Sequence, residues 1–281
     1  MQYCGARFSF RTFGGNDHIL KILRRTGRFY EQDVLDRLQD RYKASLRLRA
    51  QGGCAVDAGA FIGTHSIFFG AVMGLNPVVS FEANPSTYPI LQQNLTANGL
   101  AEKSIPINCA LGEGAGSVAL ELGAADNLGS TKVRHGGVGT TIPMVSLDEE
   151  LDRRAITNVR LLKVDVEGAE LDVLDGAHFT LARYTPLLCI EVHTPQRLLQ
   201  VLRRIEGLGY VIVDCLGLSP TYVVECNEAG RLTKFAVNRI WLLRACVPQT
   251  LKTVRWYLRR ICQSLTTGRW DPPADLAGGS P

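Results

Sequence analysis

The chain has no Cys-x-x-Cys pair, no G-x-G-x-x-G fingerprint, no internal repeat and no large excess of charge of either sign. Each absence closes a class of protein. Its cysteines are dispersed at Cys4, Cys54, Cys109, Cys189, Cys215, Cys226, Cys246 and Cys262. Most of these lie in apolar runs, where a free thiol behaves as a small buried hydrophobe, so a zinc or disulfide scaffold is not expected. Lys plus Arg number 31 against 27 Asp plus Glu, a net charge of +4, which is too small to imply a general nucleic-acid-binding face. The first residues, MQYCGARFSFRTFGG, lack the apolar core of a secretion signal, and a cytoplasmic location is expected. Residues 58–81 hold no Asp, Glu, Lys or Arg, which is long enough for a membrane span. Gly59, Gly63, Gly70, Gly74, His65 and the pair Asn76-Pro77 interrupt them, so strand, helix and strand is the better reading.

What is present suits a folded α/β protein. The 281 residues are 46% hydrophobic and 21% charged, enough apolar side chain to offset the entropy of ordering one elaborated domain or two. Residues 16–49 show apolar positions at helical spacing, among them Val34, Leu35, Leu38 and Tyr42. CAVDAG, PVVSFEA, SIPINCAL, VRLLKVDV, PLLCIEVH and GYVIVDC then read as strands separated by helical stretches, the rhythm of βαβ units and a parallel sheet. GSVALEL alternates like an exposed strand, and residues 123–139 read as a Gly-rich loop or hairpin over the sheet's end. TYVVEC and NRIWLLRA, joined by turn residues 227–230, read as an antiparallel hairpin. Three parts are expected: residues 1–50 as an N-terminal helical cap, 51–246 as the α/β domain, and 247–281 as a basic amphipathic helix with a Pro/Gly tail.

Four groups of residues carry chemistry. DAGAFIG puts Asp57, Gly59 and Gly63 between a strand and a helix, at the sheet's C-terminal edge where α/β proteins bind ligands. The spacing D-x-G-x-x-x-G suits a ligand that needs no phosphate cradle, such as S-adenosylmethionine. Glu82 ends the next strand, 25 positions beyond Asp57 and followed by Asn84, where a carboxylate can hold a ribose diol. In LLKVDVEGAELDVLDGA, Lys163, Asp165 and Glu167 alternate in an otherwise apolar strand. Unpaired buried charge is costly, so binding or catalysis is a better explanation than a purely structural cluster. Glu170 can cap the helix that follows. Finally, Glu191 and His193 alternate at the end of the strand CIEVH, which a parallel sheet puts at the same edge as Asp165 and Glu167.

These motifs, with GRFYE at residues 27–31, VDAGAFIGTHS, SFEANP, Asn94 and Asn98, SLDE at residues 146–149 and IEVH, resemble the FkbM-type methyltransferase family over roughly residues 16–245. The resemblance implies a class I, Rossmann-like fold: a mostly parallel seven-stranded sheet with helices on both faces and an antiparallel hairpin strand near its end. It implies S-adenosylmethionine-dependent O-methylation of a hydroxyl on a glycan, glycolipid or secondary metabolite. Cofactor binding is then expected at Glu31, Asp57, Gly59, Gly63, Glu82, Asn84, Ala110 and Asp165, and catalysis at Asp165, Glu167, Glu191 and His193. Two positions depart from the family's pattern, Phe61 where Asn is usual and Ala83 where Pro is usual.

Methyl transfer to a hydroxyl needs in-line alignment and removal of a proton. His193 can act as base while Asp165 orients the acceptor. Alternatively Asp165, Glu191 and His193 could hold Mg²⁺, which would lower the acceptor's pKa instead. A non-catalytic nucleoside-binding relative of the fold is the rival reading of another class, and the glycine spacing disfavours a dinucleotide dehydrogenase. Partners are expected among small-molecule, glycan or glycolipid acceptors, without nucleic acid. Beyond the core, Leu251, Val254, Leu258, Ile261 and Leu265 recur at spacings of three and four, with Lys252, Arg255, Arg259, Arg260, Trp256 and Tyr257 between them. Such a helix can pack on the domain or lie peripherally on the inner face of an anionic membrane.

Overall fold

A computed structural model of the chain describes residues 1–12, 18–45, 53–121, 131–134, 140–217, 219–226, 231–248 and 250–267. The chain divides into two compact units, Met1–Glu191 and Val192–Pro281. The first opens with a short hairpin of β1 (Gln2–Tyr3) and β2 (Ala6–Arg7), followed by α1 (His18–Thr26) and α2 (Gln32–Ala44). The helical pattern of residues 16–49 is thus two helices. It breaks at the GRFYE step, where Gly27 and Glu31 both take positive φ. The Gln32 side chain, turned back to accept the Phe29 amide at 3.1 Å, closes the break.

The unit's main sheet is built from β3 (Cys54–Ala58), β4 (Val78–Phe81), β5 (Ser104–Ile107), β10 (Val159–Val164) and β11 (Leu187–Glu191), all parallel, in the order β11-β10-β3-β4-β5. Every residue of β3, β4 and β10 is buried, which is why these strands read as continuous apolar runs rather than alternating ones. Residues 64–72 form one helical crossing, α-helical over Thr64–Ile67 and π-helical over Phe68–Val72. Tyr88–Ala97 forms the next, and the side chains of its Asn94 and of Asn98, the residue that caps its C-terminus, face the N-terminal arm. Asn98 exchanges hydrogen bonds with Ser9 at 3.0 and 2.7 Å, and Asn94 with Arg11 at 2.6 and 3.0 Å. Behind the arm Tyr3, Phe8, Phe10 and Phe68 pack around the ring of Phe29.

A second, four-stranded sheet joins β6 (Ala110–Leu111), β7 (Gly116–Glu121), β8 (Lys132–Arg134) and β9 (Thr140–Val145) in the order β6-β9-β7-β8. Gly116–Glu121 of GSVALEL is therefore only half exposed, with Val118 and Leu120 packed against Ala110 and Ile142. Of the Gly-rich stretch, residues 123–130 and 135–139 lie outside the described residues. The SLDE motif proves to be a double cap: Ser146 Oγ accepts the Glu149 amide at 3.2 Å, and Asp148 accepts the Phe179 and Thr180 amides at 2.7 and 2.8 Å, at the start of the helix His178–Tyr184.

The second unit holds an antiparallel pair, β12 (Tyr210–Leu216) and β13 (Thr221–Cys226). With the five parallel strands of the first unit they make up the expected mixed set. The expected hairpin is corrected in its members: GYVIVDC pairs with TYVVEC, whereas NRIWLLRA belongs to a helix, Arg231–Cys246. A run of four apolar residues does not distinguish a strand from a buried helix. The deciding spacing is Val237 and Trp241, four apart and both fully buried. Between them the buried Asn238 accepts the Ile212 amide at 2.9 Å and donates to the Tyr210 carbonyl at 3.2 Å. The basic stretch beyond the core forms the helix Lys252–Thr267. The Pro/Gly tail lies outside the described residues. Among the described residues no helix is long and apolar enough to cross a membrane. All eight cysteines are free thiols.

Removing the Asn238 amide should leave two backbone groups of β12 unsatisfied. Asn238→Ala is expected to lower stability by about 1 to 3 kcal/mol in urea-induced unfolding, and a change within about 0.5 kcal/mol would refute this role.

Candidate active site

The strand register sets the site. Across the central strands Lys163 of β10 lies opposite Asp57 of β3, and Asp57 opposite Ser80 of β4. Asp57 is fully buried. Its Oδ2 accepts the Ser66 hydroxyl at 2.6 Å, Ser66 in turn touches Ser80 at 2.8 Å, and Lys163 Nζ stands 3.2 Å from Oδ1. Lys163 also reaches Asp165 Oδ2 at 3.3 Å and donates to the Gly59 carbonyl at 2.9 Å. The cation is therefore surrounded by two carboxylates and a carbonyl. Burial acts to lower its pKa, but Asp57, Asp165 and Glu31 outweigh burial and hold it above the usual lysine value.

Gly59 must be glycine for two reasons. Its φ of 79° is left-handed, and a Cβ there would collide with the Asp165 carbonyl. The turn lies against the end of β4, with the Gly59 and Ala60 amides both donating to the Phe81 carbonyl at 3.1 and 2.9 Å. Phe61 also takes a left-handed φ, 49°. Asn adopts that region more readily than Phe does, which accounts for the Asn usual in the family that the sequence resembles. The twist directs the Phe61 amide at Glu82 Oε2, 2.8 Å away, while the Asn84 amide donates to Oε1 at 2.9 Å. Burial raises the Glu82 pKa to about 7 against the lowering effect of these two amides. Asn84 is buried in the same turn, its Oδ1 accepting the Ser86 amide at 2.9 Å. Ala110 lies in the apolar cluster of the small sheet, against which Ala83 packs.

The acidic block continues past β10. Asp165 is 28% exposed at its side chain. Burial would raise its pKa, but Lys163 and a hydrogen bond from Glu191 outweigh burial and hold it below the usual carboxylate range. Glu167 and Gly168 take positive φ, and the Gly168 amide donates to Glu170 Oε1 at 2.6 Å, so Glu170 braces the tight turn. Asp165, Glu167 and Glu191 bring oxygens within 4.8 Å of one another. This trio holds Glu167 where the expected metal set had His193, and acidic clusters of this kind are common without an ion. His193 lies in the second unit and is exposed.

Glu31 and His65, which the sequence gave no reason to join, face each other at 3.6 Å. Burial and then Asp165 push Glu31 up to about 7, while burial and then Lys163 push His65 down to about 4. Tyr30 stacks on His65 with ring centroids 6.2 Å apart, and its carbonyl oxygen lies 3.3 Å from His65 Nε2. His65 was visible only as a polar residue inside the apolar stretch of residues 58–81.

The Methyltransferase FkbM domain profile matches residues 57–212, more than half of the chain. The chain belongs to the FkbM methyltransferase family. The matched stretch contains each expected site residue except Glu31. Two curated relatives are similar. Hexuronic acid methyltransferase AglP of Haloferax volcanii is 31% identical over 137 residues, covering 49% of this chain and 54% of that protein. Methyltransferase sdnD of Sordaria araneosa is 30% identical over 162 residues, covering 46% of this chain and 62% of that protein. The chain thus spans little more than half the length of these relatives. Among solved structures, a methyltransferase FkbM from Methylobacillus flagellatus is 21% identical with a TM-score of 0.48, over 62% of this chain and 43% of that one.

The raised Glu31 pKa has a defined sign in stability. Relative to an unfolded value of 4.5, a folded value of about 7 contributes stability that is complete below pH 4.5 and is lost as pH rises through 7. Glu31→Gln removes that loss. Thermal unfolding in a pH series should show the variant gaining on the unsubstituted protein from pH 4.5 to 7 and level above. A gap that does not change with pH would count against a buried, protonated Glu31.

Proposed function

We propose that the chain is an S-adenosylmethionine-dependent O-methyltransferase acting on a hydroxyl of a glycan, glycolipid or secondary metabolite. The observation that carries this reading is Glu82, a buried carboxylate at the end of β4 beside the Gly59 turn. A carboxylate offers about four acceptor positions; two backbone amides occupy two of them, and a pair of vicinal ribose hydroxyls suits the others. Two further features fit the cofactor. Asn84 Nδ2 is buried without a partner among the described residues, and the turn at Gly59 excludes any Cβ. Glu31, Gly59, Gly63, Glu82 and Asn84 would hold the cofactor, with Asp57 fixing the turn from beneath. When bound, it supplies a methyl group on a positively charged sulfur.

The chain's own residues must then align an acceptor oxygen about 3 Å from that methyl group and take up its proton. Asp165, ionised beside Lys163, orients the acceptor hydroxyl and favours positive charge next to it. Proton removal falls to His193, two residues beyond Glu191, the carboxyl that hydrogen-bonds to Asp165. The name of the Haloferax relative, a hexuronic acid methyltransferase, favours a sugar as the acceptor.

Calorimetry with S-adenosylmethionine tests the cofactor site. Glu82→Ala, shown to be folded by circular dichroism, should bind at least about 2 kcal/mol more weakly, the scale of lost hydrogen bonds to a charged group; unchanged affinity would refute the assignment. Turnover is tested with labelled cofactor and fractionated glycans and glycolipids. His193→Ala should retain cofactor affinity and lose roughly 100-fold in rate, the usual contribution of a general base. A fully active variant would remove His193 from the mechanism.

A further inference from the structure

The second unit carries a surface for which methyl transfer has no use. From residue 231 to 267 the ionised side chains are Arg231, Lys234, Arg239, Arg244, Lys252, Arg255, Arg259 and Arg260, with no Asp or Glu among them. The whole chain carries only +4, so the remainder is net acidic and positive charge is segregated into this segment. Part of it is committed inward. Arg259 pairs with the buried Asp214 at 2.7 Å, Arg239 with Glu206 at 2.8 Å, and Arg255 donates to the carbonyls of Arg244 and Val247. Lys252 is exposed, and Arg260 lies over the Trp256 ring, 5.6 Å from its centroid.

The apolar stripe of an amphipathic helix ordinarily faces a core. In the helix Lys252–Thr267 the inward face is centred on Cys262, which is 1% exposed, with Arg255, Arg259 and the half-buried Leu258 beside it. Val254, Ile261 and Leu265, spaced to share one face, are 45%, 36% and 44% exposed. Leu251 before the helix and Phe235 and Leu243 on the preceding helix are exposed as well. Tyr257 flanks the stripe, and its ring packs edge-on against that of Trp256, 5.0 Å away.

We propose that this face docks on an anionic lipid bilayer, with the helix lying in the interface plane. Val254, Ile261 and Leu265 enter the boundary between headgroups and acyl chains, Tyr257 sits at headgroup level, and Lys252 and Arg260 add long-range attraction to the lipid phosphates. Charge selects this occupant. A second copy would bring the same cations against their like, whereas an anionic bilayer attracts them without a matched contour. The docking is independent of the methyl-transfer reading.

Sedimentation of the full chain with vesicles tests the proposal. Phosphatidylcholine vesicles with and without phosphatidylglycerol are compared at about 0.1 M and about 1 M salt, where the screening length falls from about 10 Å to about 3 Å. The chain should sediment with the anionic vesicles at low salt and be released at high salt. The variant Val254→Asp with Ile261→Asp, both at exposed positions and checked by circular dichroism, should partition about tenfold or more weakly, the scale of withdrawing a large aliphatic side chain from an apolar phase. Lys252→Glu with Arg260→Glu should weaken it as well. No sedimentation, equal sedimentation with neutral vesicles, insensitivity to salt, or undiminished partition of the aspartate variant would each overturn the proposal. So would light scattering that shows a vesicle-free dimer dissociated by the same aspartates, since the face would then join two copies.

Discussion

The C-terminal edge of the first unit's parallel sheet is organised around one buried cation. Lys163 projects from the middle of a strand whose every residue is buried, and it has exchanged water for Asp57, Asp165 and the Gly59 carbonyl. Removing one member of such a group leaves uncompensated charge in a dry interior. The three partners come from the end of β3, the turn after it and the end of β10, so a single ammonium group fixes the relative positions of three segments. Its reach is finite. Asp165, in contact with Lys163, stays ionised, whereas Glu31 and Glu82 respond chiefly to burial and rise to about 7. The site therefore combines a carboxylate held in its charged form with two that titrate near neutrality, an arrangement common where acid-base work is done.

Part of the backbone strain falls in the same place. Glu31, Phe61 and Glu167 all carry left-handed φ, a conformation costly for residues with a Cβ and kept only where the surroundings impose it. At Phe61 the imposed benefit is visible, because the twist turns its amide onto Glu82. At Glu31 it begins the helix that brings the carboxylate to His65.

Much of this was legible in the sequence because parallel strands are covered on both faces. CAVDAG, PVVSFEA and VRLLKVDV could only be central strands, and the charges inside them could only be paired or functional. Spacing alone also located Glu82 and the Asp165 block at one edge. What could not be read follows from tertiary contact. NRIWLLRA has the composition of a strand, and only the burial of Val237 and Trp241 four apart, with Asn238 between them serving β12 with both ends of its amide, reveals the helix. Glu31 and His65 lie 34 positions apart in segments without a shared period, so no local pattern could pair them. SLDE is family text in the sequence but two helix caps in the fold.

The Asn94 amide ties the N-terminal arm to the glycine turn, because the side chain that pairs with Arg11 also donates to the Ile62 carbonyl at 2.8 Å. A helix here offers the arm what a strand edge would otherwise offer: alternate donors and acceptors at Asn94 and Asn98, matched to residues Ser9 and Arg11 two apart in extended chain. Yet the partners are separated by 83 and 89 residues, and closing so long a loop carries a large entropic cost before any hydrogen bond forms. The arm can dock only once the helix Tyr88–Ala97 and the strands around it exist. The glycine turn is thus buttressed by an arm remote from it in sequence, and the hold on that turn is shared between the sheet and a long-range contact.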